Sequence, residues 1–313
     1  MKKSKENKTL FRVPLDVPKS AAAAYLGHLK LITKNTGRLM LFAGDQRVEH
    51  LNDDFYGAKN ISLDDADPEH LFRIAARARI GAFTTQLGYI TKYGRDYPHI
   101  PYIVKLNSKS NLVKPDQMDP QSTSWYSVDQ IMELKRRTGL KICGLGYTVY
   151  LGSEFEHEML TEAAQLIYEG HRYGLISIIW VYPRGKAVPQ ERYGHLIAGG
   201  VNVAAALGAD FVKINYPRPI AGQTSAEQFR ESILAGNRTK VICAGGSQAN
   251  PKIFLQLLAE QLEVSGAGGN ATGRNVHQRP LDEAIRFCNA IAAITFDGQS
   301  AAQAYKIYQG RTK

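Results

Sequence analysis

Cysteine is scarce in this chain. Cys143, Cys243 and Cys288 are the three cysteines among 313 residues, and their spacing fits neither a disulfide framework nor a zinc site. Each reads as a buried free thiol, which points to a reducing cytoplasm. No run of about 18 apolar residues occurs, so no membrane-spanning helix is expected. Residues 1–8 are basic but lack the apolar stretch of a secretory signal, and they read as a frayed tail. A low-complexity linker is missing, as is any repeat of fixed period. With 44% hydrophobic residues, the length fits one large α/β barrel or two ordinary domains. Acidic residues are outnumbered, giving a net charge of +10, and residues 1–20 carry six Lys/Arg against two acids. No basic helix or aromatic–basic stripe accompanies that charge, so nucleic acid is not the expected partner. A phosphorylated small molecule needs only a few local charges. No cluster of His, Cys, Asp or Glu has ligand spacing, so neither a metal nor another cofactor is expected.

What recurs is a short apolar run, a polar turn and a helical pattern. Strands are expected at residues 39–45, 82–86, 102–107, 141–148, 176–182, 211–216, 240–246 and 269–273. Amphipathic stretches at 68–79, 127–138, 156–173 and 190–207 lie between them. Near-continuous apolar strands alternating with helices imply a parallel sheet covered on both faces. Eight units over about 270 residues match a single-domain (β/α)8 barrel. On this reading residues 1–38 are an N-terminal extension (the basic tail plus a helix), 39–295 the barrel and 296–313 a C-terminal tail. Chemistry in such barrels gathers where strands end. Polar residues recur there: Asp45, Gln86, Lys105 with Asn107, Tyr182 with Arg184, Lys213 with Asn215, Ser247 and Arg274.

Lys213 carries the most information, because Phe211-Val212-Lys213-Ile214 would ordinarily exclude a charge. A lysine held there is paired, hydrated in a cleft, or shifted toward the neutral amine, which attacks carbonyls. Alone it would more often be structural. In the run ending Trp180-Val181-Tyr182-Pro183-Arg184, alternation places Trp180, Tyr182 and Arg184 on one side. Tyr182 fills the interior or, beside an imine, transfers protons. Two glycine turns, Gly245-Gly246-Ser247 and Gly273-Arg274, end consecutive strands and together suit a phosphate, although each alone is weak evidence. Asp45 either caps the following helix or orients a substrate hydroxyl. His50 by itself carries little.

Assembled, these motifs resemble the archaeal-type class I fructose-bisphosphate aldolases of the DhnA family, in the DeoC/FbaB aldolase superfamily. The resemblance covers residues from about 39 to 287. Its most specific parts are Trp180-Val181-Tyr182-Pro183-Arg184-Gly185, Phe211-Val212-Lys213-Ile214, Gly245-Gly246-Ser247 and Thr272-Gly273-Arg274-Asn275-Val276-His277-Gln278-Arg279. It implies that Lys213 forms a Schiff base with dihydroxyacetone phosphate and that Tyr182 is the general acid/base. Trp180 and Arg184 would shape the site, and Asp45 would contact substrate hydroxyls. Gly245, Gly246, Ser247, Gly273 and Arg274 would hold the phosphate, and His50 would lie near the second phosphate or sugar end. Where the family has Asp-His-Gly, this chain has Asp45-Gln46-Arg47, which bears on the preferred aldehyde more than on the imine.

The implied activity is reversible cleavage of fructose 1,6-bisphosphate to dihydroxyacetone phosphate and glyceraldehyde 3-phosphate, by a cytoplasmic homo-oligomer. One rival is a related Schiff-base lyase or transaldolase on another phosphorylated keto sugar, such as an aminodideoxyheptulosonate synthase. A rival of another class is a non-catalytic barrel that binds polyanions, in a salt-dependent way, through its basic surface.

Overall fold

The computed structural model describes residues 11–311; the frayed-tail reading of residues 1–8 falls outside them. Eight strands form one closed barrel in sequence order: β1 (Leu39–Ala43), β2 (Ala82–Gln86), β3 (Tyr102–Lys105), β4 (Ile142–Leu151), β5 (Ile176–Pro183), β6 (Phe211–Ile214), β7 (Lys240–Ala244) and β8 (Gly269–Thr272). All eight pairings are parallel, including β1 with β8, and helices intervene between strands. The architecture is the expected (β/α)8 barrel.

Two of the expected strands are informative, one longer than expected and one formed where expected from unlikely residues. β4 runs past residue 148 to Leu151 because Val149, Tyr150 and Leu151 continue the ladder against Val181, Tyr182 and Pro183. That extension carries Tyr150 up to the rim beside Tyr182. β8 forms from Gly-Asn-Ala-Thr, residues of low strand propensity, because closure depends on its glycine. Gly269 has φ +144°, and a Cβ there would lie 1.9 Å from the Leu39 carbonyl oxygen. Asn270 donates to Thr295 Oγ1 at 2.9 Å and accepts from Thr272 Oγ1 at 2.9 Å, so its polar side chain is satisfied in the core.

Alternation along the strands builds two cores. Leu41, Ile103, Ile178, Trp180, Phe211 and Ile242 fill the barrel, while Phe42, Val104, Ile179, Val181 and Val212 face the helices. Each large apolar side chain so buried contributes about 1.5–3 kcal/mol. Helix Ala22–Ile32 shares the inner core through Tyr25, Leu29 and Ile32, and so closes the barrel floor. There Tyr25 Oη donates to Asp210 at 2.5 Å, and buried His171 lies between Asp16 (2.7 Å) and Asp210 (3.1 Å). Helix Ala301–Tyr308, capped by Ser300, packs on helices Pro251–Glu263 and Leu281–Asp297. No helix among the described residues is long and apolar enough to cross a membrane. Cys143, Cys243 and Cys288 are buried free thiols, as expected.

Candidate active site

The C-terminal ends of the strands surround a cleft of about 270 Å³. Lys213, on β6, reaches it from a position only 5% exposed. The strand supplies that burial: Phe211, Val212 and Ile214 are each at most 1% exposed. Lys213 Nζ makes no hydrogen bond or ion pair among the described residues. Burial therefore lowers its pKa from the ordinary lysine value, with Arg274 adding to the shift and Asp45 and Glu49 opposing it. The result is an amine biased toward its nucleophilic form.

Trp180 does not line the cleft. It lies beneath, 1% exposed, with its ring 5.1 Å from Lys213 Nζ and 5.4 Å from Lys105 Nζ. Gly146 on the neighbouring β4 makes room for it, since a Cβ there would sit 2.6 Å from the indole. Lys105 is a second buried amine, held by both oxygens of Asn107. Burial brings its pKa down to about 8, with Asp45 and Glu49 opposing and Lys213 reinforcing the shift.

Tyr182 and Arg184 follow Trp180 on the same side of β5, and both line the cleft. The Tyr182 hydroxyl has no partner among the described residues, and its ring stacks with Tyr150 at 6.3 Å. Burial raises its pKa, helped by Glu49 and Asp45 and opposed by Arg184 and Arg274, so the free site holds a protonated phenol. Arg184 is chelated by Glu191, at 2.7 and 3.1 Å, and its remaining nitrogen lies 3.6 Å from Glu49.

Asp45 stands at the start of the short helix Gln46–Glu49, but its side chain makes no capping bond. The helix-cap reading is thereby corrected. Its Oδ1 is buried without a partner and faces the cleft, while its backbone carbonyl is taken by Gln86 Nε2 at 2.8 Å. A buried carboxylate left unpaired at a concave site suits a substrate hydroxyl. Gln46 lies against Gly273, where a Cβ would meet its amide nitrogen at 2.7 Å and the Ala43 oxygen at 2.6 Å.

Gly245, Gly246, Ser247, Gly273 and Arg274 all line the cleft, so the two turns after β7 and β8 share one wall. Gly246 has φ +70°, a conformation other residues rarely adopt. The turns are joined by Asn275, which is fully buried. Its amide donates to the Gly245 and Ser247 carbonyls at 2.9 and 2.7 Å and accepts from Ala249 N–H at 2.8 Å. His50 also reaches the cleft, but is engaged by Asp54 at 3.2 Å, as is Arg274 at 3.4 Å.

Ten of the eleven expected site residues thus line one cleft, with Trp180 as its floor. Three of the polar strand-end residues, Gln86, Lys105 and Asn107, do not enter it. Gln86 binds the Asp45 backbone, and Asn107 binds Ser122, Thr148 and Lys105. The sequence reading missed Glu49, Asn111, Glu191 and Arg192, which line the cleft from loops and a single helical turn. Their only signal was proximity to motifs already chosen. Among the described residues, no three His, Cys, Asp or Glu side chains come together in a way that would hold a metal.

The sequence profile of the DeoC/LacD family aldolases matches residues 39–279. A relative from Methanocaldococcus jannaschii, named fructose-bisphosphate aldolase/6-deoxy-5-ketofructose 1-phosphate synthase, is 55% identical over 302 residues, covering 96% of each chain. The class 1 fructose-bisphosphate aldolase of Thermoproteus tenax is 30% identical over 267 residues, covering 85% of this chain and 93% of its own. The solved fructose-bisphosphate aldolase of Slackia heliotrinireducens superimposes with a TM-score of 0.95 at 47% identity, over 97% of this chain and 95% of that one. An archaeal fructose-1,6-bisphosphate aldolase, solved with its catalytic lysine bound to the carbinolamine intermediate, gives a TM-score of 0.74 at 29% identity, over 87% and 99%. Profile and relatives agree over nearly the whole barrel: the chain belongs to the DeoC/LacD family of aldolases.

Proposed function

We propose that the protein is a class I aldolase that reversibly cleaves fructose 1,6-bisphosphate to dihydroxyacetone phosphate and glyceraldehyde 3-phosphate. The observation that carries this reading is that a buried Lys213 amine, the Tyr182 phenol and the Asp45 carboxylate, all without side-chain partners among the described residues, line one cleft. In a cleft whose far wall is two glycine turns and Arg274, a phosphate held on that wall would bring a ketose C2 to the amine.

The steps balance with these groups alone. Neutral Lys213 attacks C2 to give a carbinolamine. Tyr182 gives its proton to the departing hydroxyl, which leaves as water, and an iminium remains beside a phenolate. The raised pKa of Tyr182 fits a group that starts as an acid. The phenolate, now stabilised by the adjacent cation, takes the C4 hydroxyl proton as the C3–C4 bond breaks. The electron pair of that bond flows into the iminium, giving an enamine and the free aldehyde. Asp45 orients the hydroxyl that loses its proton. Protonation of the enamine at C3 and hydrolysis release the ketone and restore Lys213; condensation reverses each step.

A second acceptor is favoured by one feature. Arg184 is already matched by Glu191 and Glu49, so its own positive charge is largely neutralised. A paired Arg184 leaves its part of the cleft open to an uncharged aldehyde, and the retro-aldol halves of a 6-deoxy-5-ketofructose 1-phosphate, the product named for the Methanocaldococcus jannaschii relative, are dihydroxyacetone phosphate and a three-carbon 2-oxoaldehyde. The same reading takes the protein to be a homo-oligomer of a reducing cytoplasm, which three buried thiols suit.

Borohydride trapping with dihydroxyacetone phosphate, followed by peptide mass mapping, tests the proposal. A reduced adduct on Lys213, absent from folded Lys213→Ala, is expected. An unmodified Lys213 in folded wild-type protein would sink imine chemistry on that ketone.

A further inference from the structure

The basic side chains of the cleft are not equally available to a ligand. Arg184 is chelated by Glu191 at 2.7 and 3.1 Å and approached by Glu49 at 3.6 Å. His50 and Arg274 share Asp54, at 3.2 and 3.4 Å. Arg192 differs. It lines the same cleft as Lys213, yet its guanidinium makes no hydrogen bond or ion pair among the described residues. Arg218, on the loop after β6 and just outside the lining of that cleft, likewise makes no side-chain hydrogen bond or ion pair among the described residues. The two loops are tied together by their backbones, with Arg218 N–H donating to the Arg192 carbonyl at 3.1 Å. Gln228 fixes the second loop by donating to the Arg218 carbonyl at 2.7 Å. Two like charges are therefore held on adjoining loops, neither with a hydrogen bond or ion pair to its guanidinium among the described residues; burial and then Arg218 lower the proton affinity of Arg192, with Glu191 opposing and Arg274 reinforcing the shift.

Unmatched guanidinium groups at the lip of a ligand cleft are the usual means of reading a phosphate. The substrate of the proposed reaction carries two. The glycine turns after β7 and β8, with Arg274, are the wall proposed for the one next to the ketone. We infer that Arg192, backed by Arg218, receives the second phosphate, the one carried by the aldehyde half of the substrate. This inference rests on the Schiff-base aldolase reading. The site is exposed and built from loops, so it adds selectivity for a phosphorylated aldehyde without excluding an uncharged one. Arg184, which the sequence motif makes conspicuous, positions Glu191 and Tyr182 instead.

The test compares cleavage of fructose 1,6-bisphosphate and fructose 1-phosphate, which differ only in the second phosphate. The measurement is made on wild-type protein, Arg192→Gln and Arg192→Lys. In Arg192→Gln the kcat/KM ratio of bisphosphate to monophosphate falls about 10- to 100-fold, mainly through KM for the bisphosphate. Arg192→Lys restores part of the ratio, because a point charge replaces the fork. A ratio unchanged in Arg192→Gln overturns the assignment, and so does an equal loss on both ketoses, which would place Arg192 at the first phosphate or in the scaffold. Wild-type protein that forms no borohydride adduct and cleaves neither ketose fails at an earlier step, removing the aldolase reading and the subsite with it.

Discussion

Lys213 Nζ lies 5.1 Å from the centre of the Trp180 ring. The indole face offers the ammonium a weak cation–π contact, but among the described residues no carboxylate lies within ion-pair distance. That combination keeps the amine buried without fixing its proton, which an imine-forming lysine requires. Lys105 approaches the same ring at 5.4 Å, so two buried amines share one aromatic surface.

The second amine should influence the first. Burial is the main reason the Lys105 pKa falls to about 8, and repulsion from Lys213 adds to it; the same repulsion acts in turn on Lys213. Lys105→Met removes a positive charge behind the indole and keeps the volume close to native. The pH at which Lys213 becomes trappable by borohydride then moves upward, since its protonated form loses a repulsive neighbour. An unmoved or lowered profile would show that Asn107 has already compensated the Lys105 charge.

Much of this site is legible in the sequence, because the informative residues contradict their surroundings. A lysine within Phe211-Val212-Lys213-Ile214 is conspicuous, and strict alternation correctly set Trp180, Tyr182 and Arg184 on one side of β5. The eight strands were legible because a buried parallel sheet needs near-continuous apolar runs. Partnership was not legible. Nothing local says that Gln86 turns to the Asp45 backbone, that Glu191 claims Arg184, or that Gly146 clears space for Trp180. Those facts arise when residues far apart in the chain meet, which composition and spacing do not encode. Arg192 escaped for the same reason: an exposed arginine on a loop becomes notable only when its neighbours prove to be paired.

Asn275 is a direct test of whether the two glycine turns act as one unit. Asn275→Ala strands the Gly245 and Ser247 carbonyls and the Ala249 N–H, at a cost of about 1–3 kcal/mol for groups left unpaired. If the turns hold the phosphate next to the ketone, KM rises about tenfold or more for every ketose 1-phosphate, while kcat falls less. Lys213→Ala gives the opposite pattern, with loss of kcat. Loss of kcat alone in Asn275→Ala, at unchanged KM, would separate the turns from phosphate binding.

The floor of the barrel makes a prediction about stability rather than turnover. Burial opposes protonation of His171, yet the hydrogen bonds that Asp210 and Asp16 accept from it, at 3.1 and 2.7 Å, raise its pKa from 6.5 to about 9. Ser177 Oγ also faces the ring at 3.4 Å, and Tyr25 donates to Asp210 from the helix packed below. A folded-state pKa above the unfolded value adds stability that is complete below about pH 6.5 and is lost as the pH rises through about 9. The contribution is on the order of 2–3 kcal/mol. Lys105 works in the opposite direction. Its pKa falls from 10.5 to about 8 on folding, so it adds stability as the pH rises above about 8. Wild-type unfolding alone therefore mixes the two, and the informative quantity is the difference between wild type and His171→Gln in denaturant titrations at pH 6 to 10. That difference should shrink steadily between about pH 6.5 and 9. A difference that stays constant across this window would mean that His171 is neutral in the folded protein, and that Asp16 and Asp210 hold it only as a hydrogen-bonded spacer beneath the barrel.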